Sequence, residues 1–137
     1  MIFLDSNVVI DVLERDLAWY DWSAERIASA ARHDIVAASS IVAAECAGRF
    51  ADLTEATAAF GALDIVIEDL PLQVAFAAGH LFRQHRRTTN DRKRILADFL
   101  IGAHAKQAGN ALITRDAEIY SRYFPELKLI TPETDNG

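Results

Sequence analysis

The sequence predicts an α/β fold, a three-layer α/β/α sandwich around a mostly parallel sheet of four to five strands. Three observations point there. Apolar runs of about four residues recur at 1–4 (MIFL), 35–38 (IVAA), 64–67 (DIVI), 111–113 (ALI) and 127–130 (LKLI). The first lacks the alternation of a half-solvated strand, as a strand covered on both faces does. Longer amphipathic stretches separate the runs, and strands alternating with helices build parallel sheets.

Each element has its own signal. Asp5, Ser6 and Asn7 offer N-cap residues for a helix that begins over 8–13. Residues 17–32 form a second helical stretch, with Trp19, Trp22, Ile27 and Ala30 or Ala31 at roughly helical spacing. After the second strand, Ser39 or Ser40 caps a helix carrying Val42, Ala43, Glu45, Cys46 and Phe50. Residues 52–63 are alanine-rich and helical, leading into the third strand. Pro71 sits at a first-turn position and opens a helix through Val74, Phe76, Ala77, Leu81 and Phe82. A polar stretch, 84–94, precedes the helical run 95–107, which stops at Gly109 in a C-cap role. A short helix around 118–123 separates the last two strands. No repeat, low-complexity segment or linker interrupts the chain, so residues 1–132 read as one domain and 133–137 as a polar tail.

Composition narrows the function. With 137 residues, 51% hydrophobic and 25% charged, the chain has enough apolar material for one packed core. Twenty acids against fourteen bases give −6, which opposes coating nucleic acid or an anionic membrane by bulk charge. That charge is unevenly spread: residues 83–94 carry six bases and one acid, leaving −11 for the rest. Arg86, Arg87, Arg92, Lys93 and Arg94 read either as a solvated loop and helix end or as a phosphate-contacting rim leading to Asp98. The longest uncharged stretch, 70–82, is too short to span a bilayer, and the N-terminus lacks the basic flank of a signal peptide. One cysteine and no CxxC or HxxxH spacing exclude an internal disulfide and a zinc site. A cytoplasmic protein without membrane contact is the expectation. Cys46 and His104 read as core residues; Trp19, Tyr20 and Trp22 exceed what one helix face can bury, so core packing is the default reading and a partner groove or dimer contact for part of the group the alternative.

Ligands of open α/β sheets bind outside the carboxyl ends of the strands, so acids there carry the chemistry. Asp5 directly follows the first strand, and Asp116 lies three residues past the end of the fourth. Glu45 lies in the helix after the second strand, and Asp98 interrupts the apolar run ILADFLI. Taken singly, each has a bland role: a cap for Asp5 or Asp116, a dipole partner for Asp98, a solvated helix residue for Glu45. Converging at about 5 Å, each ionised pair would repel by about 3 kcal/mol at an effective dielectric near 20. Six such pairs exceed the ~5–15 kcal/mol net stability of a domain, so convergence implies raised proton affinities or a bound divalent cation. Carboxylates without His or Cys suit Mg²⁺ or Mn²⁺, and metals so held serve phosphodiester cleavage.

The strings LDSNVVID at 4–11, SSIVAAE at 39–45, ADFLIGAHA at 97–105 and LITRD at 112–116 resemble PIN-domain nucleases, and among them VapC-type toxins of type II toxin–antitoxin pairs. The resemblance runs from residue 1 to about 132 and rests on the order and spacing of all four motifs. It implies a Mg²⁺- or Mn²⁺-dependent endoribonuclease, usually a homodimer, held inactive by a cognate VapB-like antitoxin. Its acidic site corresponds to Asp5, Glu45, Asp98 and Asp116, with Asp5, Asp98 and Asp116 on the metal and Glu45 serving the attacking water. Asn7 and Thr114 match positions that hydrogen-bond around the ligands. Ser6 stands where Thr is commoner, and Glu118 is the one candidate for a further acid. Competing readings are a non-catalytic binding module of the same fold and a nuclease for DNA or structured RNA. A receiver domain also has clustered Asp residues, but no acidic pair follows the first strand and Lys128 lies inside the last apolar run.

Overall fold

The five apolar runs form five strands, all parallel, in the order β3-β2-β1-β4-β5. In the computed structural model, which describes residues 1–135, these are β1 (Ile2–Leu4), β2 (Val36–Ser39), β3 (Ile65–Glu68), β4 (Ala111–Ile113) and β5 (Lys128–Ile130). Helices α1 (Ser6–Leu13) and α2 (Tyr20–Ala31) connect β1 to β2, and α3 (Ser40–Cys46) and α4 (Leu53–Ala62) connect β2 to β3. The crossing to β4 is made by α5 (Leu72–Thr88) and α6 (Leu96–Ala108), and α7 (Ala117–Tyr123) leads to β5. A last turn, α8 (Pro132–Asp135), follows.

Burial explains the layering. Phe3 and Leu4 of β1, Ala37 and Ala38 of β2 and Leu112 of β4 are wholly inaccessible. Successive strand residues face opposite sides, so such runs need helices on both faces. Aromatic rings tie α5, α6 and α7 together: Phe99 meets Phe82 and His85 at 5.5 Å each and Tyr123 at 5.1 Å. From β1 the chain winds outward to β2 and β3, then α5 and α6 carry it back across β1 to β4. Connections leave the carboxyl ends of β1 and β4 in opposite directions, which opens a crevice between them.

The boundaries depart from the sequence reading at several places. Helix α3, read as carrying Phe50, ends at Cys46 and gives way to a 3₁₀ turn over Ala47–Arg49, with Phe50 in extended backbone. Helix α2 starts at Tyr20, not at 17, because the Asp16 carboxylate accepts from the Ala18 and Trp19 N–H groups at 3.0 and 2.8 Å and holds a turn. Helix α5 runs on through Thr88, into the stretch read as polar, because His85 is completely buried. Its Nδ1 lies 2.5 Å from the Tyr123 hydroxyl, which supplies the polar partner that a buried imidazole needs. Gly109 does follow α6, but in extended backbone at φ −111°; a Cβ there would stand 2.7 Å from Phe3 Cδ1, so close approach explains the glycine. Of the tail read at 133–137, residues to 135 lie in α8, and 136 and 137 fall outside the described residues.

Two glycines make opposite predictions. A Cβ on Gly102 would stand 2.4 Å from the buried Phe124 ring, so Gly102→Ala should lose about 1–3 kcal/mol of unfolding free energy. Gly79, inside α5 with open space around it, should gain about 1 kcal/mol as alanine. Denaturant titration of both variants checks the pair.

Candidate active site

The crevice between β1 and β4 is crossed by one buried carboxylate. Asp5 directly follows β1 and is only 6% exposed. Its Oδ1 accepts from the Ser6 N–H at 2.7 Å, and its Oδ2 accepts from the Thr114 hydroxyl, beyond β4, at 2.7 Å. Thr114 Oγ1 also accepts from the Asp116 N–H at 2.9 Å. Asn7 reaches the same turn, its Oδ1 accepting from the Arg115 N–H at 3.3 Å, while its amide lies 3.5 Å from Asp5 Oδ2. Asn7 and Thr114 thus stitch the end of β1 to the end of β4.

The other acids arrive from three helices. Glu45 is exposed on α3 and accepts from the Ser6 hydroxyl at 2.5 Å. Asp98 is half-buried in the first turn of α6, its Oδ2 accepting from the Ile95 N–H at 2.9 Å, so it also caps its own helix. Asp116 stands before α7 but makes no capping bond; the Arg94 guanidinium grips both its oxygens, one through Nη2 at 3.2 Å and the other through Nη1. Glu118 is highly exposed, 3.8 Å from the same guanidinium.

Electrostatics joins these groups. Burial pushes Asp5 up to about 6, against the pull of its bonds from Thr114 and Ser6, and the charge of Asp98 adds to the rise. Burial likewise raises Asp98, which feels Glu45 and Asp116 as repelling charges and Arg94 as an attracting one. The acids singled out in the sequence therefore form one interacting set. Of the five basic residues, Arg86, Arg87, Arg92 and Lys93 stay exposed, and only Arg94 turns inward to the acids. Its loop is shaped by bonds from the Thr89 hydroxyl to the His85 carbonyl at 3.0 Å and from the Lys93 N–H to Asp91 at 2.9 Å.

Three features escaped the sequence reading. Tyr120 of α7 is 1% exposed, and its proton affinity is raised by burial and by Asp5, Asp98 and Asp116 together. The Ser6 bond to Glu45 links α1 to α3. Asp11, 2% exposed, receives Arg115 through Nε at 2.8 Å and Nη2 at 3.0 Å and the Ser23 hydroxyl at 2.7 Å. Arg115 also lies over the Trp19 ring at 5.0 Å, which braces the turn between Thr114 and Asp116 and engages one of the surplus aromatics. Asp11 interrupts VVIDVL as Asp98 interrupts its own apolar run, and that signal could have found it.

The donors suit a hard divalent cation: carboxylate oxygens only, two of them, Asp5 and Asp98, with raised proton affinity. Among the described residues, no three His, Cys, Asp or Glu side chains are already gathered around one ion position. Arg94 on Asp116, the Ile95 N–H on Asp98 and Thr114 on Asp5 account for their present orientations.

Asp5 sets a pH dependence with a definite sign. The unfolded carboxyl loses its proton near 3.8 and the folded one near 6, so the fold binds more protons between these values and loses stability as pH rises through them. At neutral pH the ion-free protein carries a cost of about 3 kcal/mol from this group. Asp5→Asn should therefore raise the ion-free Tm at pH 8 more than at pH 4, read as the difference between variant and parent in parallel melts.

Residues 2–125 match the PIN domain. Among curated proteins no sequence match is found. Solved structures share the fold. VapBC2 from Rickettsia felis, bound to a promoter DNA fragment, superposes with a TM-score of 0.68 at 20% identity, covering 96% of this chain and 98% of that one. VapBC-1 from nontypeable Haemophilus influenzae gives 0.66 at 19%, covering 96% and 98%. VapC20 from Mycobacterium tuberculosis, described as a toxin that cleaves the sarcin–ricin loop, gives 0.63 at 16%, covering 93% and 99%. With the match spanning nearly all of its length and the acids at the switch point of its sheet, the chain belongs to the PIN domain family.

Proposed function

We propose that the chain is a Mg²⁺- or Mn²⁺-dependent endoribonuclease, the toxin of a toxin–antitoxin pair, acting in the cytoplasm as a homodimer and restrained by a VapB-like antitoxin. The observation that carries this reading is the electrostatic set Asp5, Asp98, Asp116 and Glu45 at the switch point, with Asp5 pushed up to about 6. The acids repel one another in a partly dry cleft, which a divalent cation would relieve.

In this reading Asp5, Asp98 and Asp116 would hold the cation. When bound, the cation supplies positive charge for the crowded phosphorus and makes attacking water more acidic. Glu45, the most solvent-accessible of the four acids to face incoming water, takes the proton, and the Ser6 hydroxyl holds its carboxylate in place. Thr114 and Asn7 keep Asp5 from rotating away from the cleft. Arg94, which grips Asp116 in this structure, would be available to a phosphate, next to the exposed Arg92 and Lys93, if that carboxylate held the cation instead. In-line displacement leaves a 5′-phosphate and a 3′-hydroxyl, and no side-chain nucleophile is required.

The partner assignments have separate support. Two of the similar structures are VapBC proteins, and the third is named as a toxin that cleaves the sarcin–ricin loop. This chain also carries two exposed apolar faces. On α5, Leu72 is 82% and Phe76 69% exposed. On the other face, Leu53 of α4 borders an open apolar groove of about 610 Å³ lined by Phe50, Phe60, Ile65 and Ile67. Apolar patches of this kind mark contact with other chains. Among the described residues no helix is long and apolar enough to cross a membrane.

Cleavage of total RNA should require Mg²⁺ or Mn²⁺, stop with EDTA, and fall by on the order of a hundredfold in Asp98→Asn. Gel analysis of preparations freed of contaminating ribonuclease checks this; undiminished activity of Asp98→Asn would overturn the assignment.

A further inference from the structure

Asp11 is the buried carboxylate that the proposed chemistry leaves unused. It lies on α1 at 2% exposure and accepts from Arg115 Nε at 2.8 Å, Arg115 Nη2 at 3.0 Å and the Ser23 hydroxyl at 2.7 Å. A fork of two parallel bonds fixes a guanidinium in direction as well as in distance. The Trp19 ring covers the same guanidinium at 5.0 Å. As a source of stability such a pair is weak, because burying the charge costs about what the attraction returns, and apolar side chains of similar volume hold a fold as well or better. Its effect lies in what it points.

What it points is the turn after β4. Arg115 stands between Thr114 and Asp116, and all three are tied down separately. The Thr114 hydroxyl donates to Asp5 at 2.7 Å, the Arg115 N–H donates to Asn7 Oδ1 at 3.3 Å, and the Asp116 N–H donates to Thr114 Oγ1 at 2.9 Å. Thr114 and Asp116 thus turn to the crevice, while the side chain between them is drawn along α1 to a residue one turn beyond Asn7. A peptide segment anchored on both sides loses the rotation that would swing Asp116 away. Asp116 makes no capping bond to α7, and Arg94 reaches it from a loop twenty-two residues away. The fork on Asp11 is the anchor within its own turn.

We infer that Asp11 and Arg115 are positioning residues for the cation site: the forked pair fixes the backbone of the 114–116 turn, and through it the direction of Asp116 and of the Thr114 bond to Asp5. This rests on the cation-binding reading of the acidic set. Neither residue touches cation or substrate in that reading; both act through Thr114 and Asp116. Fixing a ligand's direction before the ion arrives strengthens its grip, because less freedom is lost on binding.

Replacing the polar set as a whole separates direction from stability. Asp11→Leu/Ser23→Ala/Arg115→Met removes all three partners together, so no charge is left buried alone, and methionine keeps a contact for the Trp19 ring. Thermal melts of the ion-free triple variant should show a Tm at or above the parent's. Calorimetric titration with Mn²⁺, run well below both melting temperatures so that both proteins are folded, should show a dissociation constant about three- to tenfold weaker than the parent's. The Mn²⁺ concentration giving half-maximal RNA cleavage should rise by a similar factor. Equal Mn²⁺ affinity would overturn the inference whatever the Tm: with a lower Tm the set is purely structural, and with an equal Tm it is dispensable. Should the triple variant not fold, Arg115→Lys, which keeps the charge without the fork, decides in its place: weaker Mn²⁺ binding upholds the inference and equal binding overturns it. A parent protein that fails to bind Mn²⁺ removes the cation reading and this inference together, whereas equal binding by parent and variant removes the role of the pair alone.

Discussion

The molecule turns on the burial of one charge at the seam between β1 and β4. A parallel sheet that winds outward and then recrosses its first strand must leave a crevice beside that strand, and here the first residue past β1 is an aspartate. Leaving Asp5 ionised there opposes folding, and the hydrogen bonds from Ser6 and Thr114 offset only part of that cost. The surrounding structure carries the rest. Phe3 and Leu4 anchor the strand beneath it, and the apolar core of α6 brings Asp98 to the same rim. A site that destabilises its own scaffold is a recurrent mark of function, because selection for activity tolerates what selection for stability alone would remove.

Two braces let the scaffold bear that cost. On one side Asp11, Ser23, Arg115 and Trp19 lock the turn after β4 to α1 and α2. In the Asp11–Arg115 pair the carboxylate is buried and the guanidinium part-exposed, and its worth lies in fixing where Thr114 and Asp116 point more than in net stability. On the other side His85, Tyr123 and Phe99 join the end of α5 to α6 and α7, which sets where the basic loop begins. Each brace joins segments distant in the chain, and each flanks the crevice without lining it.

How much of this was legible in the sequence follows from the range of the interactions. The strands were readable because consecutive apolar residues have few alternatives in a covered sheet, and Asp98 because an acid in an apolar run is costly anywhere else. The same rule would have exposed Asp11. The extension of α5 was hidden because Gln84, Arg86 and Arg87 read as polar and nothing local says that His85 between them faces the core. Gly109 was read as a helix stop, while the constraint comes from Phe3, more than a hundred residues earlier. The grip of Arg94 on Asp116, twenty-two residues apart, depends on the path of a loop, and the burial of Tyr120 beside Asp5 on how α7 packs after the β4 turn. Periodicity carries neither.

The inward turn of Arg94 has a thermodynamic corollary. A guanidinium that grips Asp116 competes with any cation drawn to the same carboxylate, and a phosphate that captures the guanidinium ends that competition. Binding free energies at coupled positions are reciprocal, so whatever factor the cation adds to the affinity for a phosphodiester strand, the strand must return to the cation. On the proposed reading, one side chain makes cation and substrate mutual effectors without any movement of domains. Measured ion affinity would then be a property of the RNA-bound state as much as of the protein, and weak loading of the free enzyme would keep it quiet until a strand is in place.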